Sequence, residues 1–191
     1  MSDEPRDALA RLKAILEVRA DGQYGLHDVT QRQHALQAAL FAQRDGCAPA
    51  LVTAALLHDI GHLVHDLGEN PAAEGVDDFH ERVGGDYLVQ FFGPDVTDPV
   101  RLHVQAKRYL CAVEPDYFSR LSKDSVLSLS LQGGPMSEAE AGAFRVEPYF
   151  ADAVRLRRYD EMAKVKNLET PDVAHFMRDV AKCARLGSPA G

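Results

Sequence analysis

The chain has 191 residues, of which 46% are hydrophobic and 26% are charged. These values are close to the average for globular proteins, and they exclude a disordered chain, a collagen-like repeat and a small disulfide-rich protein. The 21 Lys and Arg residues against 29 Asp and Glu give a formal net charge of −8. That acidic balance argues against a nucleic-acid partner or a membrane-surface partner. The length predicts a single domain over residues 1–191.

The sequence shows none of the usual signals for export or membrane insertion. Its first ten residues, MSDEPRDALA, lack the basic and apolar regions of a signal peptide. The longest apolar stretch, residues 48–57, is about half as long as a membrane-spanning helix. Cys47, Cys111 and Cys183 are far apart and form no CxxC pair, which is typical of a reducing compartment. We therefore expect a cytoplasmic protein.

Hydrophobic periodicity predicts an all-α chain, because no run alternates in the way a β-strand does. The first amphipathic helix ends near Gly22. Thr30 with Gln33 forms a capping box that opens the second helix, which runs to about Asp45. Pro49 begins a short third helix that is apolar on most sides and should therefore be buried.

The second half of the chain continues the helical pattern after a polar loop over residues 66–78. The later helices are expected to begin at Phe79, Asp98-Pro99, Ser122, Ser137, Pro148 and Thr170-Pro171. Asp98-Pro99 has the form of an N-cap followed by proline at the first helical position, and Ser137 with Glu140 is a second capping box. The last helix is expected to close at Gly187. The prediction is a bundle of about eight or nine helices.

The first candidate functional residues in the sequence are the adjacent histidine and aspartate at the end of the buried third helix. Further histidines and one aspartate share helix faces with apolar residues and should also point inward. The inward-facing polar residues are, in chain order, His34, His58, Asp59, His80, His103 and Asp160. A single inward histidine is more often an ordinary core residue, but six such groups would be costly to bury without a common partner.

A metal is the partner that these side chains favour. One tetrahedral ion uses four ligands, so six, including a carboxylate able to bridge, suggest two metal ions. Imidazole and carboxylate ligands without a thiolate leave iron, manganese, cobalt and zinc open.

Cations near the expected metal ligands indicate an anionic substrate. Lys107 follows His103 by four residues, so both lie on one helix face about 6 Å apart. The simpler interpretation of Lys107 is a solvent-facing lysine. His62 lies within reach of the same pocket, while Arg157 either clamps an anion or pairs with a surface acid. We expect a local basic patch formed by Lys107, Arg108, Arg157 and Arg158.

The order of His34, His58-Asp59 and Asp160 resembles the HD-domain superfamily, in which H…HD…D binds metal. Most members of that superfamily are phosphohydrolases. Longer stretches over residues 24–164 are similar to one branch, the mixed-valence diiron oxygenases that cleave the carbon–phosphorus bond of organophosphonates and are relatives of myo-inositol oxygenase. These stretches are QHALQ at 33–37, LHDIGH at 57–62, HVQAKRYL at 103–110, QGGPM at 132–136 and LRRYD at 156–160.

This resemblance implies an HD-domain helical bundle, an Fe(II)/Fe(III) pair, O₂ as co-substrate, and phosphate plus a carboxylic acid as products. One iron would be held by His34, His58, Asp59 and Asp160. The other would be held by His80, His103 and the same Asp59, acting as a bridge. The resemblance gives the catalytic roles to Asp59, His62 and Lys107.

The same resemblance implies a substrate pocket. The phosphonate would be held by His62, Lys107, Ser125, Ser128 and Gln132, with Arg157 as a further candidate. By spacing alone, the two serines and the glutamine would be a polar outer helix face. Tyr24 matches a mobile aromatic residue that occupies an iron position until substrate displaces it.

The loop after Tyr24 departs from the family pattern. Family members that take a primary amine carry a glutamate three residues after this tyrosine, whereas this sequence has His27 followed by Asp28. A quaternary ammonium cannot donate hydrogen bonds and is held by aromatic faces and diffuse negative charge. His27 and Asp28 therefore suit a trimethylammonium group.

Three functions remain open from the sequence. The expected one is oxygenation of a 1-hydroxy-2-(trimethyl)aminoethylphosphonate to phosphate and glycine betaine, or to glycine from the primary amine. The second is an HD phosphohydrolase that uses manganese or zinc on a small phosphate ester. The third is a ligand-sensing regulatory domain, which is disfavoured because no linker or partner domain is evident. The sequence leaves the oligomeric state open.

Overall fold

A computed structural model describes residues 4–24, 28–64 and 75–185, with side chains from Asp7 onward. In these ranges the chain forms eleven α-helices, one π-helical turn and a single isolated bridge between Gln23 and Thr30, with no strand. The all-α prediction is confirmed. No helix of the described part is long and apolar enough to cross a membrane.

The helices follow one another closely along the chain. They are α1 (Glu4–Ala14), α2 (Gln31–Arg44), α3 (Pro49–Leu57), α4 (Ile60–Val64), α5 (His80–Leu88), α6 (Pro94–Val113), α7 (Tyr117–Arg120), α8 (Lys123–Leu131), α9 (Glu138–Phe144), α10 (Phe150–Met162) and α11 (Val173–Cys183). The π-helical turn, Ile15–Arg19, continues α1.

Helix α3 lies at the centre of the fold, as its composition predicts. Every residue from Leu51 to Leu57 is buried, and the helix packs against α2, α6, α10 and α11. Burial of these apolar side chains is the main favourable contribution to folding. Because α3 is enclosed, the residues at its C-terminal end are enclosed with it.

The two predicted capping boxes are confirmed, and the first sets the register of a site residue. Thr30 Oγ1 accepts a hydrogen bond from the Gln33 backbone N–H at 3.1 Å, and Gln33 Oε1 accepts from the Thr30 N–H at 2.8 Å. Ser137 and Glu140 make the same pair of bonds at the start of α9. The first box fixes where α2 begins, and therefore which face of α2 carries His34.

Several predicted boundaries are wrong. Helix α6 begins at Pro94, not at Asp98-Pro99, because Gly93-Pro94 satisfies the same rule of a cap followed by proline. Pro99 instead lies inside α6, where its ring is buried and the helix forgoes one backbone hydrogen bond.

Other differences are smaller. Helices α10 and α11 begin two or three residues later than expected, at Phe150 and Val173, and α10 ends at Met162. The short helices α4 and α7 are not separated by the sequence pattern. The expected closure of the last helix at Gly187 lies outside the described residues.

A close approach of two helices near the site depends on glycine. Gly61 of α4 faces the backbone of His80 at the start of α5, and a Cβ added to Gly61 would lie 2.0 Å from the His80 carbonyl oxygen. Any larger residue would push the two helices apart, since backbone atoms cannot move aside as a flexible side chain does.

We therefore predict that Gly61→Ala lowers the free energy of unfolding by about 1–3 kcal/mol or more, as overpacking of a core does. Gly142→Ala in α9 is the matched control, because no atom lies within 4 Å of its added Cβ. That control should gain about 0.4–1 kcal/mol from the lower entropy of the unfolded chain. Urea denaturation measures both, and equal stabilities would contradict the close approach.

Candidate metal centre

Six polar residues from five different parts of the fold meet at the end of α3, and each is at most 8% exposed. Helix α2 supplies His34, the turn between α3 and α4 supplies His58 and Asp59, α5 supplies His80, α6 supplies His103 and α10 supplies Asp160. These are the six residues that the sequence singles out as inward-facing. The structure brings all of them together.

One half of the cluster is formed by His34, His58 and Asp160. The Nε2 atoms of His34 and His58 are 3.1 Å apart. Asp160 Oδ1 lies 3.4 Å from His34 Nε2 and 3.9 Å from His58 Nε2. Asp59 Oδ2 completes this group at 3.5 Å from His34 Nε2 and 3.4 Å from His58 Nε2.

The other half is formed by His80 and His103 with the second oxygen of Asp59. The Nε2 atoms of the two histidines are 3.2 Å apart. Asp59 Oδ1 lies 3.6 Å from His80 Nε2 and 3.7 Å from His103 Nε2. The two oxygens of one carboxylate therefore face two different histidine pairs, which is the arrangement of a bridging ligand.

The outer nitrogen of each imidazole is held by an acceptor. The Nδ1 atoms of His34, His58 and His103 lie 2.8, 2.9 and 2.7 Å from the carbonyl oxygens of Ala163, Ala55 and Val100, respectively. His80 Nδ1 lies 2.9 Å from Asp78 Oδ1. Since these acceptors cannot donate, each Nδ1 carries a proton, and each Nε2 faces inward as the atom available to a metal.

This donor set fits metal ions. Asp59 Oδ2 and Asp160 Oδ1 are buried and have no hydrogen-bond partner among the described residues. Such orphaned acceptors are costly unless a cation satisfies them. Atoms bonded to one ion at about 2.1 Å lie roughly 3.0–3.4 Å apart, close to the separations within each half. His34, His58 and Asp59 form one group able to hold an ion, and Asp59, His80 and His103 form another.

The pKa values show that each half attracts positive charge. Burial lowers the pKa of His34, but the nearby carboxylates of Asp160 and Asp59 outweigh burial and raise that pKa to about 9. Burial is likewise outweighed at His80, whose bond with Asp78 raises its pKa to about 9. The pKa of His103 falls to about 3 because of burial and then the charge of His80. In each pair one imidazole draws a proton into a position that a metal would fill.

Tyr24 lies directly over the first half of the centre. Its ring stacks on that of His34 with centroids 3.8 Å apart and an angle of 12° between the planes. Burial, followed by the negative charges of Asp59 and Asp160, raises the pKa of Tyr24 well above its ordinary value. The predicted aromatic neighbour of the metal site is therefore in contact with it.

A set of buried cations lies beside Asp160. Lys107 is 3% exposed, and its Nζ donates to Ser128 Oγ at 2.8 Å. Lys164 Nζ lies 3.4 Å from the hydroxyl of Ser125. We call Lys107, Arg157 and Lys164 the cation cluster. Sequence reasoning did not single out Lys164, although the helix predicted from Pro148 to about Val165 contains it four residues after Asp160.

Arg157 is held by acids, as one of its two sequence interpretations supposes, but these acids are not on the surface. Its guanidinium pairs with Asp160 and Glu161 and donates from Nε to the Tyr117 hydroxyl at 2.9 Å. Arg157 itself is 4% exposed. It thus orients a predicted metal ligand.

The prediction that Arg108 and Arg158 belong to a basic patch beside the site is wrong. Arg108 donates to the carbonyl of Gly134 at 2.9 Å and pairs with Glu140, and Arg158 pairs with Glu114. Neither arginine points toward the site, because acceptors elsewhere on the surface hold their guanidinium groups. Lys164 takes their place.

Lys107 has a buried charge with little compensation. No carboxylate of the described residues lies within ion-pair distance of its Nζ, which donates to the Ser128 hydroxyl. Burial, followed by the positive charge of Arg157, lowers the pKa of Lys107 to about 7. A buried cation of this kind favours an anionic ligand beside it.

His62 and Asp78 extend the second half of the centre. His62 Nδ1 lies 2.7 Å from Asp78 Oδ2, and the His62 ring stacks on that of His80 with centroids 4.1 Å apart. Sequence reasoning missed Asp78, because it ends a polar loop and carries no periodic signal. Its position two residues before His80 was the available clue.

The remaining predicted substrate residues are placed differently. Gln132 lines a cavity of about 280 Å³ with Glu81 and Arg108, and its Oε1 is buried without a hydrogen-bond partner in the described part. Asp28 is exposed and pairs with Lys166 at 3.0 Å, so the structure does not bring it to the buried centre. His27 lies outside the described residues.

Comparison with known proteins assigns the family. Residues 32–129 match the HD domain. The chain belongs to the HD-domain family. This HD-domain chain is 44% identical to hydroxymethylphosphonate dioxygenase from Gimesia maris over 176 residues, which cover 91% of the chain and 88% of that protein.

Two further relatives cover most or much of the chain. The HD-domain chain is 43% identical to [1-hydroxy-2-(trimethylamino)ethyl]phosphonate dioxygenase (glycine-betaine-forming) from Leisingera caerulea, over 85% of the chain and 83% of that protein. It is 35% identical to an uncharacterized protein of Acanthamoeba polyphaga mimivirus over 71% of the chain and 63% of that protein. The chain is an enzyme, similar to dioxygenases and equipped with clusters that could bind metal.

We predict that Asp59→Ala abolishes loading of both metal positions, because one carboxylate serves both histidine pairs. Metal content per chain, measured after loading and gel filtration, checks this. Asp7→Ala on the exposed side of α1 removes the same charge far from the site and should load normally. Two ions per chain in the Asp59 variant would contradict the shared role.

Proposed function

We propose that this enzyme is a mixed-valence diiron oxygenase that uses O₂ to cleave the carbon–phosphorus bond of a small 1-hydroxyphosphonate. The preferred substrate is 1-hydroxy-2-(trimethylamino)ethylphosphonate, and the products are phosphate and glycine betaine. The observation that carries the proposal is the bridging arrangement of Asp59 in a centre whose Asp160 lies beside the cation cluster. The 43% identity to the Leisingera caerulea dioxygenase supports it.

The metal ligands divide as the geometry suggests. One iron would be held by His34, His58, Asp59 and Asp160, and the other by Asp59, His80 and His103. Imidazole and carboxylate donors without thiolate suit iron, as required of this chemistry. When bound, an Fe(II)/Fe(III) pair would activate O₂ for oxidation of the carbon that bears phosphorus.

The chain's own residues would bind and orient the substrate. Lys107 Nζ, beside the Ser128 hydroxyl, would donate charge-assisted hydrogen bonds to the phosphonate oxygens. Lys164 Nζ, which lies 3.4 Å from the Ser125 hydroxyl and 3.2 Å from Glu161 Oε2, would add positive charge beside them. The hydroxyls of Ser125 and Ser128 can rotate to donate as well. Because Lys107 is buried, water competes little for these bonds, and each is stronger than at a surface.

Arg157 has a different part in this proposal. Its guanidinium already pairs with Asp160 and Glu161, so it holds the Asp160 carboxylate in place toward His34 and His58. Its positive charge also adds to the field that attracts a dianion. Substrate contact is left to His62, Lys107 and the two serines.

The substrate's ammonium group separates two close possibilities. Hydroxymethylphosphonate, named in the Gimesia maris relative, offers the same hydroxyl and phosphonate but no ammonium. The chain is 44% identical to one dioxygenase and 43% identical to the other, so sequence identity does not indicate which of the two substrates this enzyme prefers. The preference for the trimethylammonium compound rests on the loop after Tyr24, where His27 stands in place of the glutamate that suits a primary amine.

The test supplies iron-loaded enzyme with hydroxymethylphosphonate and with the primary-amine and trimethylammonium hydroxyphosphonates. We expect O₂-dependent phosphate release, with one O₂ consumed per phosphate. Of the three compounds, the trimethylammonium hydroxyphosphonate should be turned over fastest. Glycine betaine is identified by mass spectrometry. Phosphate release from a phosphate ester without O₂ uptake would instead establish a phosphohydrolase, and fastest turnover of hydroxymethylphosphonate would overturn the substrate preference.

Lys107→Ala is expected to raise KM for the phosphonate far more than it lowers stability. A hydrogen bond to a charged group contributes about 1.5–3 kcal/mol, which corresponds to roughly tenfold to more than a hundredfold in KM. Steady-state kinetics and thermal unfolding measure the two effects separately. Lys123→Ala, at the exposed start of α8, is the control with the same loss of charge. An unchanged KM with lower stability would show that Lys107 is structural.

A further inference from the structure

Asp78 occupies a position between two imidazoles that have different expected tasks. Its Oδ2 lies 2.7 Å from His62 Nδ1, and its Oδ1 lies 2.9 Å from His80 Nδ1. Asp78 is 8% exposed, so these contacts are made away from bulk water. One buried carboxylate thus accepts from a predicted metal ligand and from a predicted substrate-binding residue.

The backbone around Asp78 is shaped for this arrangement. Phe79, the next residue, has a positive φ of 48°, which is unfavourable for a bulky side chain. This turn allows Asp78 Oδ1 to accept from the backbone N–H of His80 at 3.3 Å as well as from its ring. The strained turn therefore places the carboxylate and the imidazole of His80 side by side at the start of α5.

The two imidazoles also touch each other. Their rings stack with centroids 4.1 Å apart and an angle of 20° between the planes. With both Nδ1 atoms donating to Asp78, each ring in its neutral form takes the tautomer whose Nε2 carries the lone pair. For His80, that Nε2 faces His103 and Asp59 in the second half of the centre.

We propose that Asp78 is a positioning residue that couples the second metal position to the substrate pocket. Its carboxylate fixes the tautomer and orientation of His80 for metal binding, and it fixes His62 in the same way for substrate binding. Loss of one acceptor oxygen therefore disturbs both tasks. The part that concerns His62 rests on the proposed function, whereas the part that concerns His80 needs only a metal.

Asp78→Asn tests the coupling with little change in shape. The amide keeps one acceptor oxygen but replaces the other with an NH₂ donor, which cannot accept from an Nδ1–H. One imidazole must then turn or change tautomer. Either orientation of the amide removes the negative charge that raises the basicity of His80, and mutation of such an outer partner costs about 10–100-fold in metal affinity. The second metal ion should therefore bind that much more weakly, while the first binds as in the wild type.

The metal measurement uses Co(II) titration in competition with a chromophoric chelator and requires no turnover. Asp77→Asn is the matched control, because Asp77 lies in the same loop and, among the described residues, accepts a backbone bond from Phe79 N at 3.3 Å, which an amide oxygen can also accept. It should bind two ions with wild-type affinity. Wild-type affinity for both ions in Asp78→Asn would overturn the proposal.

The substrate arm uses a double-mutant cycle with His62→Phe. At metal concentrations that saturate both positions in every variant, Asp78→Asn should raise KM in the wild-type background and add nothing further in the His62→Phe background if Asp78 acts on substrate through His62. His62→Phe alone should leave metal affinity unchanged. Additive effects on KM would overturn the coupling, and an inactive wild-type enzyme with the expected metal result would count against the proposed function alone.

A second variant keeps the test open if Asp78→Asn does not fold. Asp78→Glu retains the charge and both acceptor oxygens but displaces them by one methylene. It should also bind the second ion more weakly, because position rather than charge is what the turn at Phe79 provides. Wild-type affinity in this variant would contradict a positioning role.

Discussion

The carboxylate of Asp59 is the constraint on which the rest of the structure depends. Its two oxygens face two separate histidine pairs, and it stands at the end of a helix that is buried on every side. An ionised carboxylate in that position is stable only if cations surround it. The turn after α3, the tight contact at Gly61 and the start of α5 all bring those partners to it.

The residues around the centre form two groups, one that orients the imidazoles and one that supplies positive charge. Carbonyl groups of Ala163, Ala55 and Val100 orient three imidazoles, and the Asp78 carboxylate orients the fourth. On the other side, the cation cluster brings positive charge next to Asp160, although the chain as a whole is acidic. Local charge and net charge therefore have opposite signs, which suits binding of a small dianion by an acidic enzyme.

Helical periodicity made the buried residues of the candidate centre predictable, because a polar residue on an apolar helix face must point inward. His34, His103 and Asp160 were found in this way, and the end of the apolar α3 placed His58 and Asp59. Asp78 lies beyond a helix end, where no repeat indicates a direction. The orientation of Arg108 and Arg158 depends on acceptors distant in sequence, Gly134, Glu140 and Glu114, which only the folded chain brings near.

The most direct test of a shared centre is an electron paramagnetic resonance spectrum of iron-loaded, partly reduced enzyme, recorded with and without a hydroxyphosphonate. Two irons bridged by Asp59 should be magnetically coupled, giving a half-integer-spin signal of an Fe(II)/Fe(III) pair that changes when the phosphonate is added. A spectrum of isolated ferric ions only, unchanged by the phosphonate, would contradict the account.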